Sequence, residues 1–169
     1  MRRSPEERFW AKVSKTDTCW LWTGYVTDKG YGQISKDYDA PGIRNGGSMV
    51  YAHRFSWELA NGPIPPGLQV DHRSTCPKNC VRPGHLRLTT HKQNQENRRG
   101  AWARSASGVR GVSWHKRAKK WRVRVTHNRE EFRGGLFDTI EEAAEAAASL
   151  RRKLFTHSDM DNPTEGERA

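Results

Sequence analysis

Apolar residues first recur at helical spacing in SPEERFWAKV, a polar run near the start of the chain. Ser4 stands where an N-cap side chain accepts from first-turn amides, Pro5 takes the first helical position, and Glu6 and Glu7 suit the positive end of the helix dipole. Phe9, Trp10 and Val13 form the predicted apolar face. The spacing changes to alternation in CWLWTGYVTDKGYGQIS, where large apolar residues flank the turn TDKG. That pattern predicts a β-hairpin over residues 19–35. DYDAPGIRNGGS is rich in turn formers and predicts a mobile loop. MVYAHRFSWELANG reads as a short strand and then a helix stopped by Gly62 and Pro63. PIPPGLQV follows as an extended run, and helical character returns in TTHKQNQENRRG.

AWARSASG, small and serine-rich, predicts a linker. Beyond it, basic and apolar residues alternate in three short runs, roughly 109–115, 120–127 and 130–137, which predict a three-stranded antiparallel sheet. TIEEAAEAAASLRRKLF is an alanine-rich amphipathic helix with Thr139 as N-cap and Glu142 closing a capping box. The expected fold class is α+β. A first domain covers residues 1–99, a linker 100–107, a sheet-plus-helix domain 108–162 and a disordered tail 163–169.

Composition sharpens this picture. Only 34% of the residues are hydrophobic and the mean hydropathy is −0.97, so each core is thin and a metal staple would compensate. Seven tryptophans offset part of the deficit, because each buries a large apolar area. A net charge of +11 points to a polyanionic partner. An anionic membrane surface is the alternative, but no apolar run reaches spanning length and the first residues, MRRSPEERFW, do not resemble a signal peptide. The expectation is a soluble, intracellular, cytoplasmic protein.

Three cysteines cannot all pair internally. In DHRSTCPKNCVRPGH the spacing is Cys-x3-Cys-x4-His, which supplies Cys76, Cys80 and His85 but not the fourth ligand that a tetrahedral zinc requires. Cys19 is the one other thiol and completes a Cys3His set. The competing reading makes His85 an ordinary hydrogen-bonded loop histidine. Asp71, His72 and Asn94 remain. Oxygen donors such as Asp71 and Asn94 suit magnesium or manganese, and a histidine beside such an ion can deprotonate a water for attack on a phosphodiester.

AHRFSWELANGPIPPGLQVDH followed by NCVRPGHLRLTTHKQNQENR resembles the HNH endonucleases of phages and mobile introns, over roughly residues 6–99. The resemblance implies a ββα-metal fold with His72 as general base, Asp71 as acidic metal ligand and Asn94 as the helix ligand. His85 stands where that family usually has asparagine. The His-Cys box homing endonucleases similarly place cysteines and then a histidine between base and asparagine, and bring a further cysteine from an upstream strand to a structural zinc. His91, three residues before Asn94, could approach the same site or a DNA phosphate. His53 reads as an orienting histidine, and Asn97 as a DNA-facing or helix-ending residue.

Residues 98–135 hold twelve lysines and arginines against Glu130 and Glu131. In KKWRVRV, strand alternation puts Lys120, Arg122 and Arg124 on one face and Trp121, Val123 and Val125 on the other. An arginine-bearing sheet of this kind can enter a major groove, where arginine reads guanine bidentately. SGVRGVSWHKRAKKWRVRV with GGLFDTIEEAAEAAASLRRKLF closely resembles the DNA-binding domain of plant ethylene-response factors, over about residues 106–162. The resemblance implies DNA contacts at Arg110, Trp114, Arg122 and Arg124, with Lys116 and Arg117 in the first turn. Gly134 and Gly135 depart from its usual single glycine.

The expected function is therefore site-specific, metal-dependent hydrolysis of double-stranded DNA, of the homing type. It would be encoded by a phage or mobile element in a bacterial host; the sequence leaves the oligomeric state open, with a monomer favoured. The other reading is a non-catalytic DNA-binding regulator with a structural zinc knuckle. RNA binding is disfavoured, since the sheet lacks paired stacking aromatics on its arginine face.

Overall fold

The computed structural model describes residues 3–35, 48–73, 76–98, 100–101, 104–159 and 161. Nearly all of the expected loop at 37–48, and the whole tail at 163–169, lie outside these residues. The chain divides into two compact units, Met1–His91 and Lys92–Ala169. That division falls inside a helix rather than in the linker expected at 100–107.

In the first unit, α1 (Pro5–Trp10) has the capping box that its sequence implies. The Ser4 side chain accepts from the Glu7 amide at 3.1 Å, and the Ser4 amide donates to the Glu7 carboxylate at 2.7 Å. Val13 does not extend the apolar face of this helix; it opens β1 (Val13–Lys15), which pairs with β2 (Trp20–Trp22). The hairpin expected over 19–35 is thereby corrected. TDKG does turn, with a bridge between Val26 and Gly32, but β3 (Gln33–Ser35) pairs with β4 (Met49–Tyr51) instead of with β2. Trp22 supplies the reason. Its indole donates to the Tyr25 carbonyl at 3.0 Å, and a Cβ on Gly32 would lie 2.4 Å from the ring. The tryptophan thus lies across the would-be second strand and only glycine fits beneath it.

Phe9, Trp22 and Phe55 meet at the centre of this unit, with ring centroids 5.2–5.3 Å apart about Phe9. Ile34, Ala52 and Val81 complete the buried cluster. Helix α2 (Ala52–Asn61) ends at Gly62, whose φ of 85° and ψ of −171° are open to glycine but strained for other residues. β5 (Leu68–His72) pairs antiparallel with β6 (Leu86–Thr90) in the register Asp71↔Arg87 and His72↔Leu86. β6 leads directly into α3 (His91–Glu96), which gives the β-β-α order. The helical character expected from Thr89 onward begins only after both threonines have been used in the strand.

In the second unit, β7 (Val112–His115), β8 (Lys120–His127) and β9 (Glu130–Phe137) form one antiparallel sheet in that order. Val112 and Val123 on the sheet pack against Ala143 and Ala147 of α4 (Ile140–Leu154). Small alanines let the helix approach closely. Thr139 caps α4 and Glu142 closes the box. The double glycine marks a bulge: Val123 pairs with Gly135 and Arg124 with Arg133, so Gly134 is the extra residue. A Cβ there would lie 2.4 Å from Val123, in the plane where the sheet meets its helix.

Candidate metal centres and nucleic-acid interface

Backbone hydrogen bonds dock the loop after β5 onto β2. Trp22 donates its amide to the Asn79 carbonyl at 2.9 Å, and Val81 donates to Trp20 at 2.7 Å. The Arg82 guanidinium donates to the carbonyls of Asp17 and Thr18 at 2.7 and 2.9 Å. Cys19 is thereby carried to a loop more than fifty residues downstream. The structure brings the four expected ligands together: the ligand atoms of Cys19, Cys76, Cys80 and His85 lie within 4.8 Å of one another. Cys19 Sγ is 3.8 Å from Cys76 Sγ and 3.7 Å from His85 Nδ1, and Cys80 Sγ is 3.8 Å from the same nitrogen. Bond lengths of about 2.3 Å to sulfur and 2.0 Å to nitrogen in a tetrahedron imply edges of about 3.5–3.8 Å, so the donor set and its size fit zinc. The Cys76–His85 separation is shorter, 2.9 Å. The hydrogen bond between Cys76 and Cys80 holds the Cys80 thiol down to about 4, and pushes Cys76 up in return.

His72 ends β5 and is buried. Its Nε2–H donates to the Cys80 carbonyl at 2.9 Å. A carbonyl only accepts, so in the neutral ring Nδ1 is the basic nitrogen. The His53 ring lies 4.7 Å from that of His72, and Tyr31 and Tyr51 pack against His53 at 5.7 and 5.5 Å. Asp71, one residue earlier, is 3.5 Å from Arg87, its register partner on β6. Asn94 is half-buried on α3, His91 is exposed at its start, and the buried Asn97 accepts the Asp159 amide at 3.4 Å.

Burial, with the neighbouring charges of His72 and Arg54, lowers His53 to a pKa of about 3. The unfolded histidine protonates near pH 6.5, while the native one stays neutral until about pH 3. The unfolded state therefore binds more protons across that window, and stability falls with acid by about 1.4 kcal/mol per pH unit for one such group. His53→Phe, which keeps a ring, should flatten the dependence of urea-unfolding stability on pH between those limits. Equal slopes for variant and parent would remove His53 as the cause.

On the sheet of the second unit, register and burial separate two faces. Val123 and Val125 point to α4, whereas Arg122 and Arg124 occupy the opposite face with Ser113, Arg133 and Leu136. Arg122 donates to Ser113 Oγ at 3.3 Å, and Arg124 pairs with Glu131 at 3.0 Å. Trp114 sits opposite Trp121 with ring centroids 5.1 Å apart, on the helix side, although it is 45% exposed. Lys116 and Arg117 are exposed in the β7–β8 turn. Arg110 is not on the arginine face: its guanidinium is taken up by backbone carbonyls of Gln95, Glu96 and Arg98. Sequence reasoning missed that use, because nothing local to Arg110 signals a partner fourteen residues upstream.

Residues 50–96 match the HNH endonuclease family and residues 107–157 the AP2 domain family. Three proteins of Escherichia phage T7 are similar. Protein 3.8 is 40% identical over 74 residues, which cover 44% of this chain and 60% of that protein. Protein 7.7 is 36% identical over 81 residues, 48% of this chain and 55% of its own length. Protein 2.8 is 34% identical over 89 residues, 52% and 55% respectively. The chain thus spans somewhat over half the length of these relatives. No solved structure matches it. Among the described residues no helix is long and apolar enough to cross a membrane. Sheet, helix and β-β-α segment agree with both matches, and along this chain a segment similar to HNH endonucleases precedes one similar to AP2 domains, with similar proteins in a phage.

Proposed function

We propose that this protein is a divalent-metal-dependent endonuclease of the homing type that hydrolyses phosphodiester bonds at a chosen site in double-stranded DNA. The observation that carries the reading is the hydrogen bond from His72 Nε2–H to the Cys80 carbonyl, which fixes the tautomer of a buried histidine next to an acidic residue. With Nε2 so engaged, Nδ1 takes the proton of the attacking water. His53, neutral through the physiological range, packs against the base without adding a competing charge. Asp71 and Asn94 are the oxygen donors that the HNH resemblance gives to magnesium or manganese. Such a cation, when bound, polarises the scissile phosphate and stabilises the leaving oxygen. Cys19, Cys76, Cys80 and His85 would hold a structural zinc, which would tie down the loop that carries the Cys80 carbonyl.

Incubation of supercoiled plasmid with the protein, with magnesium or manganese and then with EDTA, tests the reading. Nicked or linear product that needs the cation supports it. Plasmid that stays supercoiled while binding the protein tightly would favour a non-catalytic regulator.

Site choice belongs to the second unit. Arg122 and Arg124, side by side on the exposed face, are the proposed base readers, with Lys116 and Arg117 on phosphates. Arg122→Ala and Arg124→Ala should each weaken binding to the preferred site by about 1–3 kcal/mol, the range for a bidentate base contact. Affinity for unrelated DNA should fall far less. Equal losses on all sequences, with a shallower salt dependence, would make these arginines phosphate contacts instead.

A further inference from the structure

α3 is six residues long. A helix that short does not hold its shape by backbone hydrogen bonds alone, and its last carbonyls have no intrahelical donors. Within the unit Lys92–Ala169, residues far along the chain meet both needs. Arg110 Nη1 donates to the carbonyls of Glu96 at 2.6 Å and Arg98 at 3.2 Å, while Nη2 donates to that of Gln95 at 3.0 Å. Glu96 is only 5% exposed, and its Oε2 accepts from both the amide and the hydroxyl of Thr156 at 3.1 Å. Its Oε1 lies 3.4 Å from Lys92 Nζ and from His127 Nδ1, within Coulombic reach but without hydrogen-bond geometry. Arg110 is itself fixed: its guanidinium lies over the Phe155 ring at 5.1 Å, and its carbonyl accepts from Arg151, which is bidentate with Asp161.

We propose that Glu96 and Arg110 are positioning residues for the nuclease, because the AP2-type fold holds the helix that carries Asn94. The proposal rests on the reading of Asn94 as a metal ligand. Gln95 and Glu96 close the HNH match, whereas Arg110 and Thr156 lie inside the AP2 match. The last helix of the HNH match is therefore held by side chains of the AP2 match. The fork of Arg110 suits this work, since one guanidinium reaches three carbonyls where an ammonium would act as a point charge. Glu96 serves as a second anchor, and its burial makes the contact with Thr156 hard to replace by water.

The test uses the full chain with Glu96→Ala, Thr156→Val and the near-isosteric Glu96→Gln. Manganese is titrated into plasmid cleavage at saturating DNA, alongside zinc content and DNA affinity. The expected result for Glu96→Ala is a rise of about 10- to 100-fold in the manganese needed for half-maximal rate, the usual cost of removing support from a metal ligand. Excess manganese should restore the rate, with zinc content and DNA affinity unchanged and smaller shifts for the other two variants. An unmoved titration curve overturns the proposal, as does a rate loss that excess metal does not restore. Hydrogen exchange supplies a readout independent of activity. Amides of α3 should lose protection in Glu96→Ala while those of β5 and β6 do not, and unchanged protection in α3 counts against the clamp. A parent that binds DNA and cuts nothing overturns the nuclease reading and this proposal together; a cutting parent with unmoved variants overturns this proposal alone.

Discussion

His72→Ala is expected to lower the rate of plasmid cleavage by about 10²–10⁴-fold, the usual contribution of a general base, with DNA affinity nearly unchanged. The base acts only as the water attacks, so its loss raises the barrier without weakening ground-state binding. Because His72 is buried and packs on His53 and Tyr31, alanine also leaves a cavity. His72→Gln provides the control. Its amide can donate to the Cys80 carbonyl and fill part of the space, but has no basic nitrogen. The glutamine variant should retain zinc and thermal stability close to the parent while losing cleavage, whereas alanine should lose cleavage and some stability as well. A glutamine variant that cuts at the parental rate would show that the proton leaves by another route.

The largest structural effect is expected at the cysteines. Purified protein should contain about one zinc per chain on the four-ligand tetrahedral geometry. Structural zinc is worth about 10–16 kcal/mol of apparent binding free energy in small domains, against a net stability of only about 5–15 kcal/mol for a typical domain. Cys80 is fully buried where the loop joins β2, so Cys80→Ser should release the metal and unfold the first unit. The second unit has its own core of Val112, Val123, Ala143 and Ala147 and should still bind DNA. Metal analysis, circular dichroism and a DNA-binding assay on the same sample check all three outcomes. Zinc-free protein with full activity would remove the metal from the account.

Local signals in the sequence were sufficient for the elements whose formation depends on near neighbours. Ser4 with Glu7 and Thr139 with Glu142 specify helix starts through contacts three residues apart, and both form as expected. Alternation in KKWRVRV determines which residues face α4, since strand pleat has a period of two whatever the sheet packs against. The spacing of Cys76, Cys80 and His85 likewise singles out candidate metal ligands, with Cys19 the one thiol left, and the four side chains do lie together.

Strand partners and side-chain partners far along the chain were decided only by the tertiary structure. TDKG turns, yet β2 and β3 pair with β1 and β4, because the Trp22 indole occupies the space of the alternative pairing. The Cys80 carbonyl reaches His72 through a loop whose shape depends on β2, and no spacing rule encodes that contact. Arg110 shows the limit most plainly. The family resemblance implies a DNA contact at Arg110, but backbone carbonyls at the end of α3 and the ring of Phe155 take up its guanidinium. A long cation goes where buried acceptors need donors, and the position of those acceptors is a property of the folded chain.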